Sequence, residues 1–331
     1  MSYYPLKTIY DGNTMLRYKK FSILALLCLA GAVVCNLVFS GDLRVISSHE
    51  WPLLLDIRAS RCLTALFAGS AVSIAGTLSQ SVFRNALATP SVLGTEAGAS
   101  LGLALCFLFS ASIPGSDLVM VSSVAGAIVA TSLSLTLARG RMPLVRVLLG
   151  GFALNALLGA SAALISTSLL ETGKGGELYH WLLGSFSTKN WGHALLIATL
   201  SVCGLAASIP ASIKLDQLSL GDDAASTLGI SARSVHISTM VLISILVGGS
   251  ISVGGALPFL GLVVPHFVRT ATGPYMKPLL FNTFLCGGAL ALIADFAART
   301  VRYPIETNVG LLTTIIGAPY FILLLKRQTS Q

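Results

Sequence analysis

Residues 61–82 read RCLTALFAGSAVSIAGTLSQSV, with Arg61 the single charge in an otherwise apolar, small or hydroxyl-bearing run. A helix over that run would rise about 33 Å, the thickness of a bilayer's hydrocarbon core. Similar runs fall near 21–40, 92–112, 118–138, 144–169, 191–209, 234–253, 279–298 and 308–325. A shorter one at 257–268 cannot cross alone and is expected to be a broken or re-entrant helix. Long runs of this kind are foreign to a membrane β-barrel, whose strands are short and alternating. The reading is an all-α polytopic membrane protein of about ten transmembrane helices, one of them short.

Composition agrees. Hydrophobic residues make up 54% of the chain, charged residues 10%, and the mean hydropathy is +0.82. Soluble domains carry about 25% charged residues, so this chain cannot clothe itself for water. Arg17, Lys19 and Lys20 ahead of Phe21–Phe39 imitate a signal peptide, but Val38-Phe39-Ser40 is a poor cleavage site and no soluble mature protein follows. That run is the first span. The six cysteines (28, 35, 62, 106, 203 and 286) fall in or beside apolar segments with no CxxC pair, as packing residues do. No metal set is expected. The net charge of +8 shows no basic cluster interleaved with aromatics, so no nucleic-acid partner is expected.

Both termini are basic, which places both in the cytoplasm and makes the number of spans even. Of the 21 Lys and Arg, fourteen then lie inside, and seven lie outside: Arg44, Arg58, Arg61, Lys174, Lys189, Arg299 and Arg302. Arg58, Arg61 and Arg299 sit at the mouths of apolar segments. Positive charge kept on the outer face is explained by an acidic partner that docks there.

Two stretches are too polar for the membrane: 41–60, external, and 210–233 (PASIKLDQLSLGDDAASTLGISAR), cytoplasmic. No soluble domain interrupts the chain, which reads as one membrane domain over 1–331. Asp216 through Leu228 reads as one or two short amphipathic helices ended by Gly229, with Asp222 and Asp223 at a helix start. Such a helix is either a docking peg or an ordinary interfacial loop helix. Gly94, Gly98 and Gly102 lie four apart on one helical face, a spacing for close helix packing.

Motifs for chemistry are missing: nothing fits GxxxxGK[ST], HExxH or GxSxG. No catalytic residue is expected, and the chain holds no ATP in that manner. His266 reads as a backbone-bonding histidine rather than a ligand. Of the thirteen acidic residues, Glu96 and Asp295 alone fall within spans, and Asp295 with Arg299 has the spacing of a helical ion pair. A proton-coupled secondary transporter would want more buried carboxylate than this.

Six blocks of sequence stand out in order, beginning with Arg61 to Ala71, Ser73-x-Ala75-Gly76-x-x-x-Gln80 and Arg84-Asn85-Ala86-Leu87-Ala88-Thr89-Pro90-x-x-Leu93-Gly94-x-x-x-Gly98-Ala99. They continue with Leu220-Gly221-Asp222-x-Ala224-x-x-Leu228-Gly229, Phe259-x-Gly261-Leu262-x-x-Pro265-His266-x-x-Arg269, and Asp295-x-x-x-Arg299 through Gly317-Ala318-Pro319. This order of motifs resembles the iron-siderophore/vitamin B12 (FecCD-type) ABC transporter permease family.

The resemblance implies a B12-permease-like subunit of the bacterial inner membrane, importing ferric siderophores, haem or vitamin B12. It implies two ABC ATPase subunits inside, a periplasmic or lipoprotein substrate-binding protein outside, and a second permease, either an identical copy or a paralogue. Arg58, Arg61 and Arg299 match arginines that engage acidic residues of the binding protein. Asn85 and Leu87 match residues that gate the cytoplasmic exit. Leu220, Gly221, Asp222, Asp223, Ala224, Leu228 and Gly229 match the coupling helices that enter a cleft on each ATPase. Three prolines usual in the family are replaced by Ala86, Ala256 and Asn308, which predicts a looser gate and re-entrant backbone and raises the expectation of a heterodimer.

Overall fold

Every apolar run becomes a helix, and α2 (Trp51–Val82) stands at the centre of the bundle. In its apolar window 89% is buried, against 17% for α1 (Gly12–Val38) and α5 (Pro143–Ser168), whose large side chains point outward as lipid requires. The structure, a computed structural model, describes residues 12–39, 51–110, 114–137, 143–170, 174–219 and 221–329. The other α-helices are α3 (Thr95–Phe109), α4 (Ser116–Leu137), α6 (Lys174–Leu182), α7 (Trp191–Leu218) and α8 (Asp222–Thr227). The set is completed by α9 (Ala232–Gly254), α10 (Leu260–Thr272), α11 (Met276–Thr300) and α12 (Val309–Thr329). Among the described residues seven are long and apolar enough to cross a bilayer: α1, α2, α4, α5, α7, α9 and α11. The apolar helices of α3 and of α12 (Val309–Leu323) are shorter.

Small residues set the crossings, because helices in lipid associate by close contact and polar bonds rather than by expelling water. A Cβ on Gly69 would lie 2.5 Å from the Gly287 carbonyl oxygen, which brings α2 and α11 backbone to backbone. Gly98 and Gly102 do the same between α3 and α4, each against a carbonyl of α4. Gly94 departs from the expected face: it precedes α3 with φ +74° and ends a 3₁₀ turn at Pro90–Leu93. Hydroxyls bond across helices, Ser123 to the Gly248 carbonyl at 2.9 Å and Ser250 to the Ala68 carbonyl at 3.1 Å.

The expected broken helix is α10. It begins alongside the apolar span of α2 (Asp56–Val82), where a Cβ on Gly76 would lie 1.8 Å from the Gly261 carbonyl oxygen. The irregular segment 255–259 before it is therefore at membrane depth, where lone backbone groups are costly unless protein covers them. Covering is supplied by two other loops. Ser185 N–H donates to the Gly254 carbonyl at 3.0 Å and Val309 N–H to the Gly184 carbonyl at 2.9 Å. A Cβ on Gly255 would lie 1.8 Å from the Trp181 carbonyl oxygen, and one on Gly310 would lie 2.5 Å from that of Ala256.

Three boundaries differ from expectation. Residues 51–60 are the first turns of α2 rather than loop, because Trp51-Pro52-Leu53-Leu54-Leu55 gives a helical start that its polar neighbours disguise. The rest of that polar stretch, 41–50, lies outside the described residues. The span expected to end at 209 runs through Pro210 to Leu218. Finally, α6 had no apolar run to announce it.

Candidate functional site: the two ends of the bundle

One end of the bundle carries the three arginines, and each is engaged within the chain. Arg61 on α2 is the hub. Its Nε donates to both oxygens of Asp295 (3.1 and 3.0 Å), its Nη2 to Asp295 Oδ1 at 2.8 Å, and its Nη1 to both oxygens of Glu306 at 2.9 and 3.0 Å. Asp295 is 1% exposed and Glu306 41%. Arg299 donates from Nη2 to Asn36 Oδ1 at 2.6 Å, and its Nε lies 3.7 Å from Asp295, so the pair foreseen at i, i+4 is the looser of two. Arg58 donates from Nη1 to the carbonyls of Leu37 and Phe39 at 3.2 and 3.0 Å, closing the last turn of α1. The network thus ties α1, α2, α11 and the segment before α12 together. Next to it the Trp191 indole N–H donates to Asp56, joining α7 to α2.

At the opposite end, α2 gives way to the segment expected to form the gate. Arg84 takes φ +48°, so that Arg84 N–H reaches the Ser81 carbonyl at 3.3 Å and Asn85 N–H reaches that of Gln80 at 3.0 Å. This is the bond pattern that usually ends a helix at glycine. The Asn85 side chain then accepts from Leu87 N–H at 2.9 Å, and its carbonyl accepts from Ala88 N–H at 3.0 Å. Asn85 is exposed and Leu87 half-buried. The bend is made by the asparagine side chain, so Ala86 in place of proline stands within a turn already bonded on either side. At the start of α12 the backbone carbonyl of Asn308 accepts Leu311 N–H at 3.2 Å, and Ala256 lies in the glycine-locked region described above.

The expected coupling segment lies at this same end. Asp216 to Leu218 belong to α7, and α8 is a separate six-residue helix. Leu220 lies outside the described residues; Asp222, Asp223 and Ala224 form the first half of α8. Gly221 turns the chain with φ +116°, a conformation open to glycine. Gly229, φ +76°, ends α8 with Gly229 N–H on the Ser226 carbonyl at 3.0 Å and Ile230 N–H on that of Ala225 at 3.1 Å. Ala225 is buried against the bundle, while Leu228 is 59% exposed. An apolar side chain is thus presented at the tip of a short helix.

Of the motif residues, His266 does not behave as expected: its Nδ1 is buried without a hydrogen-bond partner. Sequence reasoning also missed Asn36, Glu306 and the pairing of Arg61 with Asp295, residues 234 positions apart.

Comparison with known proteins fixes the family, whose profile, the FecCD transport family, matches residues 20–327. The chain belongs to the FecCD transport family. Among FecCD relatives it is 35% identical to the hemin transport system permease protein HmuU of Yersinia pestis, with 85% of each chain covered. It is 32% identical to the Fe(3+)-citrate import system permease protein YfmD of Bacillus subtilis, over 85% of this chain and 83% of that one. It is 34% identical to the vitamin B12 import system permease protein BtuC of Vibrio vulnificus, over 88% and 87%. Among solved structures, a metal-chelate type ABC transporter in an inward-facing conformation superposes with a TM-score of 0.83 at 27% identity, over 93% of this chain and 99% of that one. The protein is therefore an ABC importer permease of the FecCD type, a multi-pass protein of the bacterial inner membrane.

Proposed function

We propose that the chain is the membrane-spanning subunit of an ATP-driven importer of ferric siderophores. The observation that carries this reading is the likeness, along almost the whole chain, to permeases named for hemin and Fe(3+)-citrate. Both termini face the cytoplasm, as the charge bias of the sequence requires. Two ATPase subunits bind at the α8 end, a substrate-binding protein docks at the arginine end, and a second permease, a paralogue of this one, completes the path.

Work enters through α8 and the exposed Leu228, which fit an apolar cleft on the ATPase. Closure of the ATPase pair on ATP shifts the spans between outward and inward access. The Asn85–Leu87 turn, exposed at the same end, closes the exit. At the other end the half-buried Arg58 meets acidic residues of the binding protein, while Arg61 and Arg299, 11% and 10% exposed and bonded within the chain, hold the helix ends that set its register.

Cells lacking the chain, complemented with it, should recover uptake of radiolabelled ferric siderophore and not of haem or cobalamin. Recovery of haem or cobalamin uptake alone reassigns the substrate within the family. Uptake that survives ATP depletion but stops when the proton gradient collapses overturns the ATP-driven reading.

A further inference from the structure

Helix α11 is capped from a different helix. Tyr275 stands at its N-cap position, but its side chain does not cap the helix. The Met276 N–H instead donates to the Asp216 carboxylate of α7, at 3.1 Å to Oδ1 and 3.4 Å to Oδ2. A carboxylate at a helix N-terminus satisfies an N–H that the helix itself cannot, and is favoured by the dipole. Arg269, in the last turn of α10, interacts with the same carboxylate electrostatically. Two helix ends thus meet at one side chain, with the Arg269 charge near enough to act on it.

Position gives that contact a consequence. Asp216 is two residues from the end of α7, and the Gly221 turn leads directly from that end into α8. Helix α8 packs against α7 and α9, so a push on it is delivered to the end of α7. From Met276, α11 rises about 37 Å in 25 residues to the far end of the bundle, where Asp295 and Arg299 are bonded to α2 and α1.

We propose that Asp216 is a positioning residue that transmits displacement of α8 to α11, and so links the ATPase side of the bundle to the arginine side. The charge-assisted bond to Met276 is directional, and it makes α11 follow the end of α7 where apolar packing alone would let the two slide. This inference rests on the proposed role of α8.

The test uses the assembled transporter, with its ATPases and binding protein, in proteoliposomes. Asp216→Ala should retain the ATPase subunits and ATP hydrolysis measured without binding protein. Stimulation of hydrolysis by loaded binding protein, and uptake, should fall about tenfold, a coupling energy of ordinary size. Asp216→Asn keeps an acceptor for Met276 N–H and should recover most of both. Uptake by Asp216→Ala within twofold of wild type overturns the proposal, as does loss of the ATPase subunits from that variant, which would make Asp216 a structural support. Failure of the underlying reading is separate: Asp223→Trp in α8 would then leave ATPase binding and uptake intact.

Discussion

Arg61 holds Asp295 with three hydrogen-bond contacts of 2.8 to 3.1 Å across α2 and α11. The carboxylate is almost fully buried and is paired chiefly with that guanidinium, Arg299 standing farther off at 3.7 Å. Arg61→Ala should lower stability by about 3–5 kcal/mol, because removing one partner strands the other charge. Asp295→Asn in the Arg61→Ala background should restore part of the loss. Glu306→Gln touches an exposed partner of the same arginine and should cost at most about 1 kcal/mol. Thermal unfolding in detergent, followed by size-exclusion chromatography, ranks the four proteins.

The same relationship decides how docking is tested. Charge reversal at Arg61 sets a second carboxylate against Asp295 and disturbs the fold before it reports on a partner. Arg58 bonds to backbone carbonyls and is the cleaner position. Arg58→Gln should weaken association with the binding protein by about 1 kcal/mol, roughly fivefold in affinity. The change should appear mostly in the association rate and shrink at high salt. Surface-binding kinetics at two ionic strengths measures both, and an unaltered salt dependence contradicts the docking role.

Gly221 takes a backbone conformation that side-chain-bearing residues reach only with strain of about 1–3 kcal/mol, although a Cβ there would meet nothing within 4 Å. Gly221→Ala should therefore shift α8 without crowding it. Hydrolysis should continue while substrate imported per ATP falls. Simultaneous measurement of phosphate release and uptake gives that ratio, and an unchanged ratio rules out the coupling role.

Gly76→Ala inserts a methyl group where the Gly261 carbonyl oxygen stands, at 1.8 Å. Overpacking of this kind typically costs about 1–3 kcal/mol. The variant should insert and fold with a lower melting temperature and reduced uptake, since α10 must draw away from α2. Melting within one degree of wild type would show that the contact yields easily.

Much of this was legible in the chain itself. Apolar runs announced the helices because lipid demands them, and the shortness of 257–268 announced α10. The first turns of α2 were hidden because Asp56 and Arg58 look like loop residues until their partners, Trp191 and the end of α1, are in place. The polar composition from 210 onward hid the end of α7, which continues through Pro210 to Leu218. At the arginine end, the i, i+4 partner of Asp295 was visible on one helix. Arg61, Asn36 and Glu306 come from other parts of the chain, and no local periodicity records such meetings. Asp216 was hidden for the same reason.

Gly184, Gly255 and Gly310 carry one more implication. Where each would place a methyl group, a carbonyl oxygen from a neighbouring segment already stands, at 2.3, 1.8 and 2.4 Å. The three segments are keyed main chain to main chain, so whatever cargo a lineage adopts, no change of side chain can retune this junction. A saturation-mutagenesis map of the protein should show depleted columns at these three positions, beside lipid-facing positions that accept one aliphatic residue for another.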